Sequence, residues 1–224
     1  MRLIVAAAIV GLAASVPAAW AHRLDRPRTP PDSWETAFRI EEADVSQVVY
    51  QGISAERPFV WLVFEGRKGQ KLPAQLGVPR VDRFERFIPS YALVGPGLPA
   101  SPLPFGVPPG AGALVISSPD QRKEFYEPVT GTDSWMISDT TITIPEDGTY
   151  WMVGWAEASL PETPKMWMAI GTLERFSGAD VAALPEWIAY VRGFHEVGGM
   201  PRWAGIAAFT AAAAAIVLTA ILLR

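Results

Sequence analysis

Two histidines, His22 and His195, supply all the imidazole in 224 residues, and there is no cysteine. Disulfides, thiolate metal sites and cysteine nucleophiles are excluded. His22 becomes an N-terminal residue if a leader is removed after Ala21. An α-amine beside an imidazole chelates copper, but such a site wants a second imidazole, and His195 lies at the far end of the chain. Met152, Met166 and Met168 offer thioethers, which select Cu(I). Met166 and Met168 are two residues apart, hence on one face of a strand, and Met152 joins them if the runs at 150–155 and 165–171 pair. The competing reading is core filler, an ordinary use of methionine.

Carboxylates invite an acid–base reading. Glu41 with Glu42, or Glu127 with Asp139, could share that work, but nothing in the sequence sets their separation. The loop Pro145–Gly148, "PEDG", carries two carboxylates that suit calcium and equally suit a solvated turn. No G-x-S-x-G is present and no histidine falls where a triad would need it. The expectation is a protein without catalytic, cofactor-binding or metal-binding residues, and not an enzyme. Four tryptophans, Trp61, Trp151, Trp155 and Trp167, recur on the three most apolar runs. Exposed, they form a surface for a sugar or a protein partner; the alternative is burial beneath a helix.

The elements that would position these residues are mostly strands. "TAFRI", "SQVVYQGI", "PFVWLVFEG", "ALVISS", "TITIP", "TYWMVGWAE" and "KMWMAIGTLERF" are short apolar or alternating runs separated by Gly and Pro turns. That pattern predicts a mainly β protein, an antiparallel, jelly-roll-like β-sandwich over residues 35–176. Residues 22–34 are Pro-rich and charged, and read as an extended linker. Residues 95–112, "GPGLPASPLPFGVPPGAG", are too dense in Pro and Gly for helix or ladder and read as a long surface loop.

After Phe176 the period changes. Ser177 to Asp180 form a capping-box pattern, a short helix would run to Leu184, and Pro185 suits the first turn of a second helix. The segment 177–199 is read as amphipathic and juxtamembrane. Trp187, Ile188, Val191 and Phe194 share its apolar face, while Glu186, Arg192 and Glu196 point away. "TYWMVGW" carries large apolar side chains on both faces of one strand, so its second face needs cover, and Trp187, Val191 and Phe194 are expected to supply it.

Two stretches bear on placement. Residues 1–21 have a basic start, a short apolar stretch and a small-x-small ending at Ala21, as in a signal peptide. Residues 203–223 are 21 residues without a charge, long enough as a helix to cross a hydrocarbon core of about 30 Å. Trp203 sits at one interface, and Arg202 and Arg224 bracket the span. The expected topology is a single-pass membrane protein with the bulk of the chain extracytoplasmic, in the periplasm or at the cell surface, and the C-terminus cytoplasmic. Net charge is −4 with no basic stripe, which argues against nucleic acid.

"SQVVYQGISAERPFVWLVFEGRKGQKLPAQLGVP" resembles the opening of pre-peptidase C-terminal-like β-sandwich domains. "ITIPEDGTYWMVGWAE" and "MWMAIGTLERF" are similar to their closing hairpin. The resemblance covers roughly 45–176 and extends to exported proteins that carry such a sandwich before one membrane helix. It implies the fold and an accessory, non-catalytic role, and transfers no catalytic residue. The functional expectation is a tethered module supporting protein interaction or assembly. The alternatives are a carbohydrate or small-molecule binder using the tryptophans or the 95–112 loop, and a copper-handling protein, against which the sparse histidine argues.

Overall fold

A computed structural model of the chain describes residues 23–27, 30–116, 122–156 and 162–201. The expected signal peptide at 1–21, His22 and the expected span at 203–223 lie outside them. Among the described residues no helix is long and apolar enough to cross a membrane.

Among the described residues eleven strands form two sheets. They are β1 (Arg23–Asp25), β2 (Phe38–Arg39), β3 (Gln47–Gly52), β4 (Phe59–Gly66), β5 (Lys71–Pro79), β6 (Ser90–Gly95), β7 (Gly112–Ile116), β8 (Lys123–Glu127), β9 (Thr132–Thr143), β10 (Gly148–Trp155) and β11 (Lys165–Ile170). One sheet runs β1-β3-β11-β5-β9-β8 and the other β2-β4-β10-β6-β7. The pairs are antiparallel except at two edges, where the short β1 and β2 run parallel to β3 and β4. Part of the expected linker, Arg23–Asp25, is therefore an edge strand.

β4 is apolar from Phe59 to Phe64 because both faces of that stretch are covered. Val60, Leu62 and Phe64 join Leu72, Leu76, Leu93, Tyr150 and Met152 in the core between the sheets. Trp61 faces outward into a second cluster with Val94, Ala113 and Val153. A third cluster, on the outer face of the other sheet, gathers Val48, Tyr50, Met136, Trp167 and Ala169.

β10 and β11 do not form a hairpin. β10 pairs with β4 and β6, and β11 with β3 and β5, so the two strands face each other across the core. Met152, Met166 and Met168 are fully buried there. Gly154 makes the room: a Cβ at that position would lie 2.7 Å from the Met168 sulfur and 2.9 Å from that of Met166. The three methionines serve as core filler.

"TITIPEDGTYWMVGW" likewise crosses between sheets, because β9 belongs to one and β10 to the other. The corner is tied to the neighbouring β4–β5 crossover. Gly69 N–H donates to the Ile144 carbonyl (2.8 Å) and Ile144 N–H to that of Gln70 (3.0 Å). The Asp147 carboxylate accepts from Lys68 N–H at 2.7 Å. β9 also holds a bulge: Leu76 pairs with Ser138 and Gly77 with Met136, skipping Ile137. Ile137 and Ser138 both turn to the core, where the Ser138 hydroxyl meets Tyr91 Oη at 2.9 Å. The extra residue reverses which parity of β9 faces inward.

One continuous helix, α1 (Gly178–Phe194), replaces the two expected. Its capping box forms, with Asp180 N–H donating to Ser177 Oγ (3.2 Å) and Ser177 N–H to Asp180 Oδ2 (2.7 Å). Pro185 interrupts nothing because it sits on the exposed side, where water can satisfy the carbonyl it leaves free. The helix covers the outer face of the β3–β11 sheet, with Trp187, Tyr190, Val191 and Phe194 over Tyr50 and Trp167. It does not cover the outer face of "TYWMVGW". The loop 96–111 does that, through Leu103, Phe105 and Val107. The order of layers is helix, sheet, sheet, loop.

Candidate functional site

The polar groups under α1 form a short relay. Trp167 Nε1–H donates to Ser134 Oγ at 3.1 Å. Ser134 Oγ lies 2.9 Å from His195 Nε2, and His195 Nδ1 lies 2.8 Å from the Val191 carbonyl oxygen. A carbonyl only accepts, so Nδ1 carries the proton, Nε2 accepts from the serine hydroxyl, and the serine in turn accepts from the indole. Burial holds the His195 imidazolium down to a pKa of about 4. The Tyr50 ring meets Phe194 and His195 edge-on at 5.0 and 5.8 Å, which fixes the imidazole from the sheet side.

This serine–histidine pair has the distances of a nucleophile and its base, but Ser134 and His195 are both buried. The gap beside them, between Tyr50, Phe125, Glu127 and Trp167, holds about 10 Å³, room for one water at most. No substrate carbonyl reaches the hydroxyl, so the pair acts as a latch between β9 and the end of α1.

Glu127 closes the same seam. Burial pushes its carboxyl up to about 7, partly offset by a 2.9 Å bond from Val129 N–H. Asp139 is not its partner: Glu127 pairs with Thr132, seven strand positions from Asp139, which puts the two carboxyls roughly 20 Å apart. Asp139 takes a 3.2 Å bond from Gln75, and Glu42 pairs with Arg175. No group of three His, Asp or Glu side chains suited to a metal occurs among the described residues.

Arg192 corrects a second expectation. It is buried rather than solvent-facing. Its guanidinium donates to four carbonyl oxygens, those of Thr130 (2.8 Å), Gly131 (3.1 Å), Gly198 (2.6 Å) and Gly199 (2.6 Å). Glu196 binds Lys165 at 2.7 Å and also pairs with Arg83. Those two cations, Arg83 first, hold its carboxyl down to about 2. The end of α1 is thus fastened at three points.

The four tryptophans do not line one face. Trp167 is buried under α1, and Trp61 and Trp155 are buried on the opposite outer face, beneath the loop 96–111. Trp151, half-buried on that same face, donates to the Trp34 carbonyl at 3.3 Å. Phe105 inserts among Phe59, Trp61 and Trp155, with ring centroids 5.2, 5.0 and 5.3 Å away, all edge-on. The indole N–H groups of Trp61 and Trp155 are buried without a hydrogen-bond partner. Ser134 and Phe105 had no signal in the sequence, since each acts on residues far from it along the chain, and nothing local marks Arg192 as bonded to Thr130 and Gly131.

These features define a helix-capped, loop-capped two-sheet β-sandwich. No protein-family model matches the chain, and no curated protein matches it. Among solved structures it is similar to the pre-peptidase C-terminal domain of a collagenase from Bacillus anthracis, at 8% identity and a TM-score of 0.31 over 66% of this chain and 97% of that one.

Proposed function

We propose that this chain is a non-catalytic module, held to a membrane by residues 203–223 on the extracytoplasmic side, whose sandwich supports protein interaction or assembly. One observation carries the reading. Arg192 fastens the Gly198 and Gly199 carbonyls to the sandwich just ahead of the 21-residue uncharged run that begins at Trp203. The Ser134–His195 latch under α1, beside a gap with room for one water at most, fits a module that presents surfaces rather than one that turns over substrate. The full chain should pellet with membranes through a high-salt wash, and a chain truncated after Pro201 should stay in the supernatant. A truncated chain that still pellets overturns the reading.

A second reading has its own support. The unpartnered indole N–H groups of Trp61 and Trp155 would suit a carbohydrate or other small molecule that offers acceptors while stacking on the rings. Such a ligand must displace Phe105. Titrating oligosaccharides into wild type and Phe105→Ala, read by tryptophan fluorescence, tests it; no response in either variant removes it.

A further inference from the structure

The end of the sandwich that carries Pro201 has a composition of its own. Tyr126, Val197 and Met200 are 57%, 38% and 52% exposed. They line one shallow depression with Gly131, Asp133, Arg192 and Pro201. Single exposed apolar side chains are ordinary on any surface. These three are set apart by lying around Pro201, two residues before the uncharged run that begins at Trp203.

That point is held rigidly. Arg192 binds carbonyls on both sides of it, two in the β8–β9 turn and two in the segment after α1. Gly131 has φ +62° and would place a Cβ 3.3 Å from Pro201 Cβ, so a bare backbone is what lets Pro201 seat against the turn. From Pro201 to Trp203 the chain spans at most about 7 Å. If 203–223 crosses a bilayer, no linker separates it from the folded domain, and the surface around Pro201 stands within the headgroup layer.

We infer that Tyr126, Val197 and Met200 form a lipid-contacting foot on which the sandwich rests against the membrane in a fixed orientation. The inference rests on the tethering proposed above. Tyrosine suits the interface, with an apolar ring and a polar tip, and Met and Val suit the acyl boundary. The depression holds one charge of each sign, the Asp133 carboxylate and the Arg192 guanidinium, so it has no net charge to match an anionic surface. The matching partner is therefore a bilayer of zwitterionic lipid.

The chain has no cysteine, so single labels are simple to place. Tyr126→Cys, Val197→Cys and Lys68→Cys are each coupled to an environment-sensitive dye. The full chain is then reconstituted in phosphatidylcholine–phosphatidylethanolamine liposomes carrying a lipid-bound quencher. Lys68 lies at the opposite end of β9 from the foot, by the Lys71–Thr143 pairing. Labels at 126 and 197 should shift to the blue and lose at least half of their emission to the quencher, while the label at 68 does neither. If the chain floats with the liposomes and all three labels behave alike, the foot is overturned and the patch is free for a protein. If the chain does not float, the tethering has failed and the foot with it. Met200→Glu is the second variant. It should still float, with quenching at 126 reduced at least twofold; unchanged quenching also overturns the foot.

Discussion

Ser134 on β9 and His195 at the end of α1 are 61 positions apart in sequence, and their side chains meet at 2.9 Å. The contact requires a neutral imidazole. Because burial lowers the His195 pKa to about 4, against about 6.5 in an unfolded chain, the unfolded state binds more protons between those values. His195 therefore contributes stability that is full above pH ~6.5 and is lost as the pH falls towards ~4. Glu127 works in the opposite sense. Its pKa is raised to about 7, so its contribution is full below the unfolded value and is lost as the pH rises towards ~7.

The two slopes offset each other in the wild type between pH ~4.5 and ~6.5, and single variants should expose them. Relative to wild type, Glu127→Gln should become more stable as the pH rises from 4.5 to 7. His195→Gln should become more stable as the pH falls from 6.5 to 4. Each difference should reach up to about 3 kcal/mol in urea unfolding. Differences that do not vary with pH would mean that neither group is buried in solution.

Removing the helix cover should expose the face holding Tyr50 and Trp167. Trp187→Ala and Phe194→Ala, both half-buried, should each cost about 2 kcal/mol in thermal or denaturant unfolding. A chain ending at Phe176 should bind a hydrophobic dye that the chain ending at Pro201 does not. Equal stability and no dye binding would show that α1 does not cover this sheet in solution.

On the other outer face, Phe105→Ala should cost about 2 kcal/mol and shift tryptophan emission to the red as water reaches Trp61 and Trp155. Trp61→Phe should cost less than its lost area suggests, within about 1 kcal/mol, because it also removes a buried donor with no acceptor. A cost of about 3 kcal/mol or more would mean that this N–H is bonded in solution.

Two glycines are required by close contact. A Cβ at Gly77 would lie 2.2 Å from the Trp167 ring, and one at Gly95 would lie 2.3 Å from that of Tyr150. Gly77→Ala and Gly95→Ala should each destabilise by about 1–3 kcal/mol. The same change at Gly69, where nothing lies within 4 Å but φ is +81°, should cost about 1 kcal/mol through backbone strain alone.

β3, β4, β7, β10 and β11 were legible because each is a short apolar run bounded by turn residues, whereas β1 read as linker, β6 gave no reading, and the long β9 read as two separate runs. The capping box at Ser177 was legible because it is local. Partnership was not. A period of two says which side chains of β10 share a face, but not that β9 and β11 lie in the other sheet. Hence "TYWMVGW" shows that its outer face needs cover, yet not that Phe105 rather than Phe194 supplies it. The composition of 96–111 excludes a ladder and is silent on one phenylalanine anchoring the loop. Arg192 sits on the helix where solvent would be expected, and the approach of the β8–β9 turn adds two carbonyls to the two that the segment after α1 offers it. The Ser134–His195 contact depends on the β9 bulge and the length of α1 together, and no local pattern encodes either.

In the larger sheet, β11, the last strand to be made, sits between β3 and β5. A chain emerging from its N-terminus holds β3 on one side and β5, β9 and β8 on the other, with a vacant slot between them until residues 165–170 arrive. Until then two long inner edges are open, the kind of surface on which unfinished chains pair with one another. Closure of this sheet is thus a single late event that joins β11 to partners 90 to 123 positions earlier in sequence, the slow regime for loop closure. A ribosome or translocation channel must deliver nearly the entire domain before any of this sheet is safe from aggregation.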